Sequence, residues 1–293
     1  MTLEQLRIFV AVAEREHVTR AAEALGVVQS AASAAIAALE SQHDVQLFHR
    51  VGRRIELTEA GRIFLTEARA VLARAQTAEL ALSELGGLKR GTLSIHCSQT
   101  IGTYWLPARL ARYRKAHPAI DLQLAIGNTA QVAAAVLAGT AELGFVEGEV
   151  DAPALSVKSI EGDRLAVVIA SDEAPAKPKK LTQADILAME WVLREPGSGT
   201  RAEFEAELRR RKIDPAALKV VLELPSNEAV RTAVLAGAGA TAISELVVGA
   251  GLRYGTLKHL DFDLPQRAFH ILRHKERYRS RAADALLEIV AAG

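Results

Sequence analysis

Two short motifs carry the residues best placed to do chemistry, Ser98-Gln99-Thr100 and Ser198-Gly199-Thr200. Each stands where a strand-like apolar run passes into a helical pattern. The start of a helix leaves backbone N–H groups unpaired and carries the positive end of the helix dipole, so hydroxyls and amides gathered there suit an anion or a carboxylate. "NTAQV" at 128–132 and "SNEAV" at 226–230 supply a second pair of capped helix starts, the first bringing in Thr129. Any one of the four is also an ordinary N-cap. Their recurrence in pairs is what points to one small ligand in a cleft between two similar lobes.

A second chemistry is suggested near the N-terminus. "LFHRVGRRIELT" clusters Arg50, Arg53 and Arg54 around Gly52, between two short strand-like pieces. That suits a β-wing whose guanidiniums meet DNA phosphates, while three arginines in a turn also describe a plain solvated loop. Bulk charge is no guide. The net charge is +1, and residues 1–90 hold eleven Lys and Arg against eleven Asp and Glu, so any DNA affinity must come from local placement.

Enzyme signatures are missing. "GSGTR" lacks the lysine and spacing of a phosphate-binding P-loop, and "GAGAT" at 237–241 follows a helix rather than joining a strand to a helix. The 8 histidines are scattered without metal-ligand spacing. The one cysteine, Cys97, excludes an internal disulfide and reads as a buried filler of the strand "TLSIHCS", with a redox sensor as the alternative. No apolar run approaches the ~20 residues of a membrane span. "MTLEQLRIFV" shows no signal-peptide pattern, so the expected location is the cytoplasm.

The elements that must position these residues follow from periodicity. "LEQLRIFVAVAE" repeats apolar residues at Leu3, Leu6, Val10 and Ala13, one helical face. Thr19 is expected to cap the next helix, "RAAEAL", and Gly26 to end it. In "VVQSAASAAIAALE" (27–40), Ala32, Ile36 and Leu39 should face inward, leaving Gln29, Ser30, Ser33, Ala34 and Ala37 outward. Helix, helix, tight turn and helix make a helix-turn-helix.

From Thr58, an N-cap followed by Glu59, the pattern lengthens. Phe64, Ala68, Val71, Ala75, Ala78, Leu82 and Leu85 alternate steps of four and three, an a/d seam that calls for a second copy of the chain or, alternatively, for the core of the next domain. Beyond Gly91 strands and helices alternate in an α/β pattern. Here "SQT", a helix, Pro118-Ala119 and "DLQLAI" are echoed by "SGT", a helix, Pro215-Ala216 and "KVVLEL", and "AVLAG" recurs at 135–139 and 233–237. The echo predicts two similar lobes.

"LEQLRIFVAVAE", "TRAAEALGVVQSAASAAIAALE", "LFHRVGRRIELTEAG" and "LREPGSGTR" together resemble a LysR-type transcriptional regulator. The resemblance implies an α+β multidomain chain: a winged helix-turn-helix (1–58), a dimerising linker helix (59–90) and a two-lobed effector domain like periplasmic binding proteins (91–293). Lobe one would hold 91–163 and 268–293, lobe two 164–267, the chain leaving near Asp163 and returning near Arg267. Double-stranded promoter DNA would meet Thr19, Arg20, Gln29, Ser30, Ser33, Ala34, Arg50, Arg53 and Arg54. "SQTIGTYWLP", "VEG" and "REPGSGTR" are most similar to the branch with regulators of carbon fixation and sulfur assimilation. That similarity puts Ser98, Thr100, Thr129 and Thr200 where effectors are held, beside Gln99, Ser198 and Gly199, with a small anionic co-inducer and no other cofactor. Assembly as a homodimer or homotetramer is implied.

Two positions depart from the family pattern. Val28 stands where a Thr or Ser usually opens the recognition helix and cannot cap through a hydroxyl. Ala34 and Ala35 stand where an Arg and a Gln often follow the second serine, which removes a phosphate or guanine contact. The helix is left to read with Gln29, Ser30, Ser33 and two alanine methyls. The competing functions are a cytoplasmic anion-binding or solute-binding protein that has lost DNA binding, and an enzyme using the α/β cleft, against which the missing nucleophile–base or metal constellation speaks.

Overall fold

The computed structural model describes residues 1–51, 54–85, 91–175 and 180–292. The chain divides into two compact units, a smaller one of Met1–Leu88 with the short turn Ala138–Thr140 and a larger one made of Lys89–Leu137 and Ala141–Gly293. Among the described residues no single helix is long and apolar enough to cross a membrane.

The smaller unit begins with α1 (Leu3–Arg15), opened by a capping box in which the Thr2 hydroxyl accepts from the Gln5 amide and the Gln5 side chain accepts from Thr2. Helix α2 (Val18–Leu25) ends at Gly26, whose φ of 68° closes it in the left-handed region. Thr19 does not cap α2: the helix starts earlier, at Val18, and the extended His17 caps it, its ring Nδ1 accepting from the Arg20 amide at 3.4 Å. Helix α3 (Gln29–His43) buries Ala32, Ile36 and Leu39 as their spacing requires, and Val28 before it makes no side-chain cap. Strands β1 (Phe48–Val51) and β2 (Arg54–Leu57) pair antiparallel, Phe48 opposite Leu57.

Helix α4 (Glu59–Leu85) is capped by Thr58, whose hydroxyl accepts from the Gly61 amide at 2.9 Å and donates to the Gln46 carbonyl at 2.7 Å. The first part of its seam is used within the unit. Phe64 packs on Phe9 with ring centroids 4.8 Å apart, and Ala68 is buried among Leu6, Phe9, Leu39 and Leu47. Further on, Ala75 is half-buried and Val71, Ala78 and Leu82 are exposed; the side chain of Leu85 lies outside the described residues. Beside the start of α4, Leu39, Val45, Leu47, Ile63 and Phe64 wall an apolar hollow of about 480 Å³.

The larger unit runs β3 (Gly91–Ser98), α5 (Leu106–Ala116), β4 (Ile120–Gly127), α6 (Thr129–Ala138), β5 (Leu143–Glu147), β6 (Leu155–Ala170), α7 (Gln183–Ala188), β7 (Glu190–Arg194), α8 (Gly199–Arg210), β8 (Lys219–Leu224), α9 (Asn227–Leu235), β9 (Thr241–Ser244), α10 (Glu245–Tyr254), β10 (Leu257–His259), β11 (Gln266–His274) and α11 (Arg281–Ala291). The repeat seen in the sequence is structural: β3-α5-β4-α6 and β7-α8-β8-α9 each pair their strands in parallel, and each set ends on a glycine with φ 82°, Gly139 and Gly237.

Two cores result, each in two layers. One packs Leu93, Ile95, Phe145, Phe269 and Leu286, with Val132, Val136, Val146 and Leu272 in its second layer; the other packs Trp191, Phe204, Leu208, Ile213 and Phe262, with Val168, Val192, Val230, Val234 and Ile243 in its second. A sheet of order β10-β6-β11-β5-β3-β4, with β9 also on β6, joins them. Strand β6 passes from one to the other: its first part pairs with β11 up to Arg164, and from Leu165 it pairs with β9 and then β10.

Candidate functional site

The sheet brings the C-terminal ends of β3 and β5 beside the starts of α6 and α8, where most of the hydroxyls singled out from the sequence meet. They converge on a residue the motifs did not single out. Glu147, the last residue of β5, is 2% exposed, and its carboxylate accepts from the Ser98 hydroxyl and, at 3.5 Å, from the Thr200 hydroxyl. Thr129 at the start of α6 donates to the Glu147 carbonyl at 2.7 Å. Gly199 makes the approach possible: a Cβ there would lie 2.0 Å from the Glu147 carbonyl oxygen and 2.6 Å from Thr129 Oγ1. Gly148, with φ 90°, lies against Gly199 from the other side. Ser198 is buried as the N-cap of α8, its oxygen accepting from the Arg201 amide.

Gln99 and Thr100 reach the second core at the start of α9. The Gln99 amide donates to the Pro225 carbonyl at 2.8 Å and accepts from the Asn227 backbone at 2.9 Å, while Asn227 Nδ2 donates to Thr100 Oγ1 at 3.0 Å. Asn227 Oδ1 in turn accepts from the buried Arg194 at 2.5 Å. Arg194 grips Glu195 through two N–H donors at 2.8 and 3.0 Å, and Asn128, which caps α6, donates to Glu195 at 3.2 Å. Burial opposes ionisation of Glu195, but the Arg194 hydrogen bonds and charge outweigh it and hold its carboxyl below the usual range. Tyr104, in the π-helical turn Ile101–Trp105 after β3, adds a hydrogen bond to Glu228 of α9.

A second buried cation sits where the two cores join. Arg267 is fully enclosed, donates to both oxygens of Asp163 at 2.5 and 3.0 Å, reaches Thr200 Oγ1 at 3.2 Å and stands 3.9 Å from Glu147. Burial disfavours its charged form, and Glu147 and Asp163 more than offset that and raise its pKa. Nearby, burial pushes the Glu203 carboxyl upward, with Arg267 pulling it back. Cys97, beneath Ser98, is buried as a filler, its thiol pushed up to about 12 by desolvation and by the charge of Glu147. Among the described residues no group of three His, Cys, Asp or Glu is placed to hold a metal ion.

The residues expected from sequence fall into two hydrogen-bonded sets: Ser98, Thr129 and Thr200 around Glu147 and the Asp163–Arg267 pair, and Gln99 and Thr100 with Asn227, Arg194 and Glu195. Ser198 caps α8, Gly199 contributes close packing, and Glu147, Arg194, Glu195, Asn227 and Asp163–Arg267 are the partners the others meet. A signal for two of them existed: Glu147 and Arg194 close the otherwise apolar runs "LGFVE" and "WVLR", and a charge at the buried end of a strand needs a partner. The two sets can bind and orient a small molecule.

In the smaller unit Thr19, Arg20, Gln29, Ser30 and Ala34 are exposed and Ser33 is half-buried, along one side of α2 and α3. Arg53 and the side chains of Arg50 and Arg54 lie outside the described residues.

Comparison with known proteins assigns both units. Residues 3–62 match the bacterial regulatory helix-turn-helix protein, lysR family, and residues 86–293 match the LysR substrate binding domain. The chain is 34% identical over 291 residues to a probable RuBisCO transcriptional regulator of Trichormus variabilis, covering 97% of this chain and 86% of the relative. In fold it is similar to full-length CbnR complexed with its target DNA, with a TM-score of 0.71 and 24% identity over 100% of this chain and 99% of that one. It is also similar to the Synechocystis PCC6803 CcmR regulatory domain in complex with 2-PG, with a TM-score of 0.62 and 24% identity over 69% of this chain and 97% of that one. A helix-turn-helix, a long helix and a duplicated α/β unit with a buried polar site, matched over nearly the whole length by such regulators, place this chain in the LysR family of DNA-binding transcriptional regulators with an effector-binding domain.

Proposed function

We propose that this regulator reads promoter DNA with the exposed side of α3 and senses a small anionic metabolite at the network around Glu147, in the cytoplasm. The observation that carries the reading is the gathering of Ser98, Thr129 and Thr200 at one buried place, beside the starts of α6 and α8, where hydroxyls and helix dipoles favour negative charge. The 2-PG complex of the CcmR regulatory domain supports a metabolite ligand for this kind of domain. The lobes divide at 163/164 and 267/268, the helix-turn-helix at 58/59 and the linker helix at 90/91. The ligand acts by population shift, binding one arrangement of the lobes better than the other.

On the DNA side, Thr19, Arg20, Gln29, Ser30, Ser33 and Ala34 face the bases and phosphates, and Arg50, Arg53 and Arg54 anchor the backbone. Val71, Ala75, Ala78, Leu82 and Leu85 meet a second copy, with Phe64 at the margin, in a homodimer or homotetramer. With no arginine on α3, specificity rests on Gln29, the serines, helix amides and DNA deformability. The test is a footprint on the DNA upstream of the gene, in a salt series, with wild type and Ala34→Arg. A spaced pair of protected half-sites, and broad tightening by the arginine, are expected. Unchanged affinity and salt slope in the variant would remove α3 from the interface, and absence of protection at every salt would favour a solute-binding protein.

A further inference from the structure

Glu147 sits among the donors that the proposed effector needs. The Ser98 and Thr200 hydroxyls point at its carboxylate, and Arg267, the nearest cation at 3.9 Å, is already paired with Asp163 through two hydrogen bonds. One negative charge therefore holds the place where a ligand's negative charge would lie. An ionised carboxylate has acceptors only. A ligand whose facing atoms are also acceptors meets repulsion and leaves its own oxygens without hydrogen bonds in a buried site; a ligand that turns a hydroxyl or a protonated oxygen toward Glu147 satisfies both partners.

We infer that Glu147 determines effector specificity: it admits an anion that also carries a hydrogen-bond donor, such as a hydroxy acid or an oxyanion that keeps a proton, and rejects fully ionised anions of the same shape. This rests on the anion reading above and adds to it the kind of anion. The neighbouring geometry fixes the selector in place. Gly148 and Gly199 pack β5 against the start of α8, and Thr129 holds the Glu147 carbonyl, so the carboxylate has no room to swing away with its backbone. A site built around a required hydrogen bond discriminates strongly against analogues that lack it.

Hydrogen phosphate and sulfate make the test near pH 8.5, where both are tetrahedral dianions and differ by the one proton. Calorimetric titration of the full chain at constant ionic strength should give phosphate an affinity at least about 100-fold above that of sulfate. In Glu147→Gln, whose amide both donates and accepts, the ratio should fall below about 5-fold, chiefly by a gain in sulfate binding. If that variant fails to fold, the wild-type ratio decides alone. Equal binding of the two anions by wild type, or a preference for sulfate, overturns the role of Glu147 and leaves the anion reading standing. If neither anion binds either protein, the anion reading itself falls, and this inference with it.

Discussion

Asp163 and Arg267 lie directly opposite each other on β6 and β11, and their side chains close a two-point ion pair at 2.5 and 3.0 Å. The pair marks the place where the chain passes between the two cores, and the Ser244 hydroxyl at the end of β9 joins it. Both partners are almost wholly buried. Removing Asp163 costs Arg267 its two-point partner and leaves Glu147, 3.9 Å away, as its counter-charge; removing Arg267 strands Asp163. Asp163→Asn should lower stability by about 3–5 kcal/mol, read as the urea midpoint, and pairing Asp163→Leu with Arg267→Met should recover much of the loss. A loss below about 1 kcal/mol for Asp163→Asn would mean that the pair is solvated in solution.

Gly199 and Gly249 make a matched comparison. A methyl at Gly199 drives into the Glu147 carbonyl and Thr129, whereas one at Gly249, inside α10, meets nothing within 4 Å. Gly199→Ala should cost about 1–3 kcal/mol by overpacking. Gly249→Ala should stabilise by about 0.5–1 kcal/mol through helix propensity. Thermal melts of the two variants should move in opposite directions.

Val28 precedes α3 in an extended conformation suited to a cap, is 68% exposed and makes no capping bond. Val28→Ser therefore gives up little burial and gains a side-chain acceptor for the first turn. An increase of about 0.5–2 kcal/mol in stability of the smaller unit is expected, seen as slower amide exchange at the start of α3.

Alkaline pH should weaken the larger unit. Cys97, Tyr104 and Tyr113 are each pushed up to about 12, from ordinary values of 9.0 for the thiol and 10.0 for the phenols. Burial is the main cause in all three, with Glu147, Glu228 and Glu142 respectively adding to it. The folded chain keeps these protons when the unfolded chain has lost them. Their contribution is complete below pH 9 and disappears as the pH rises toward 12. Urea midpoints should fall through that window, and Cys97→Ala should flatten the part of the fall nearest pH 9. A flat profile up to pH 11 would show these groups to be hydrated in solution.

Local structure was legible where one segment carried its own signal. The inward triad Ala32, Ile36 and Leu39, the stop at Gly26 and the doubled β-α-β-α order each depend on spacing alone, and each is found in the fold. The start of α2 differs from the expected cap at Thr19 because an imidazole nitrogen can accept a helix amide as an oxygen does, and His17 is not among the usual N-cap residues. The site was half legible. Ser98 and Thr200 announce helix starts, but their partner Glu147 is distant in sequence and becomes a neighbour only through the parallel pairing of β3 with β5. Asp163 and Arg267 stood out as crossing points of the chain; that they bind each other depends on the register of β6 and β11.

The two strands that carry the backbone between the cores amount to a torsion strap. A ladder of hydrogen bonds resists stretching and sliding, yet it can be wound further along its natural twist without breaking a rung. The two cores are thereby tethered by a paired crossing rather than by a single loose segment, and Glu147, opposite Phe269 of β11, stands on the strand that flanks it.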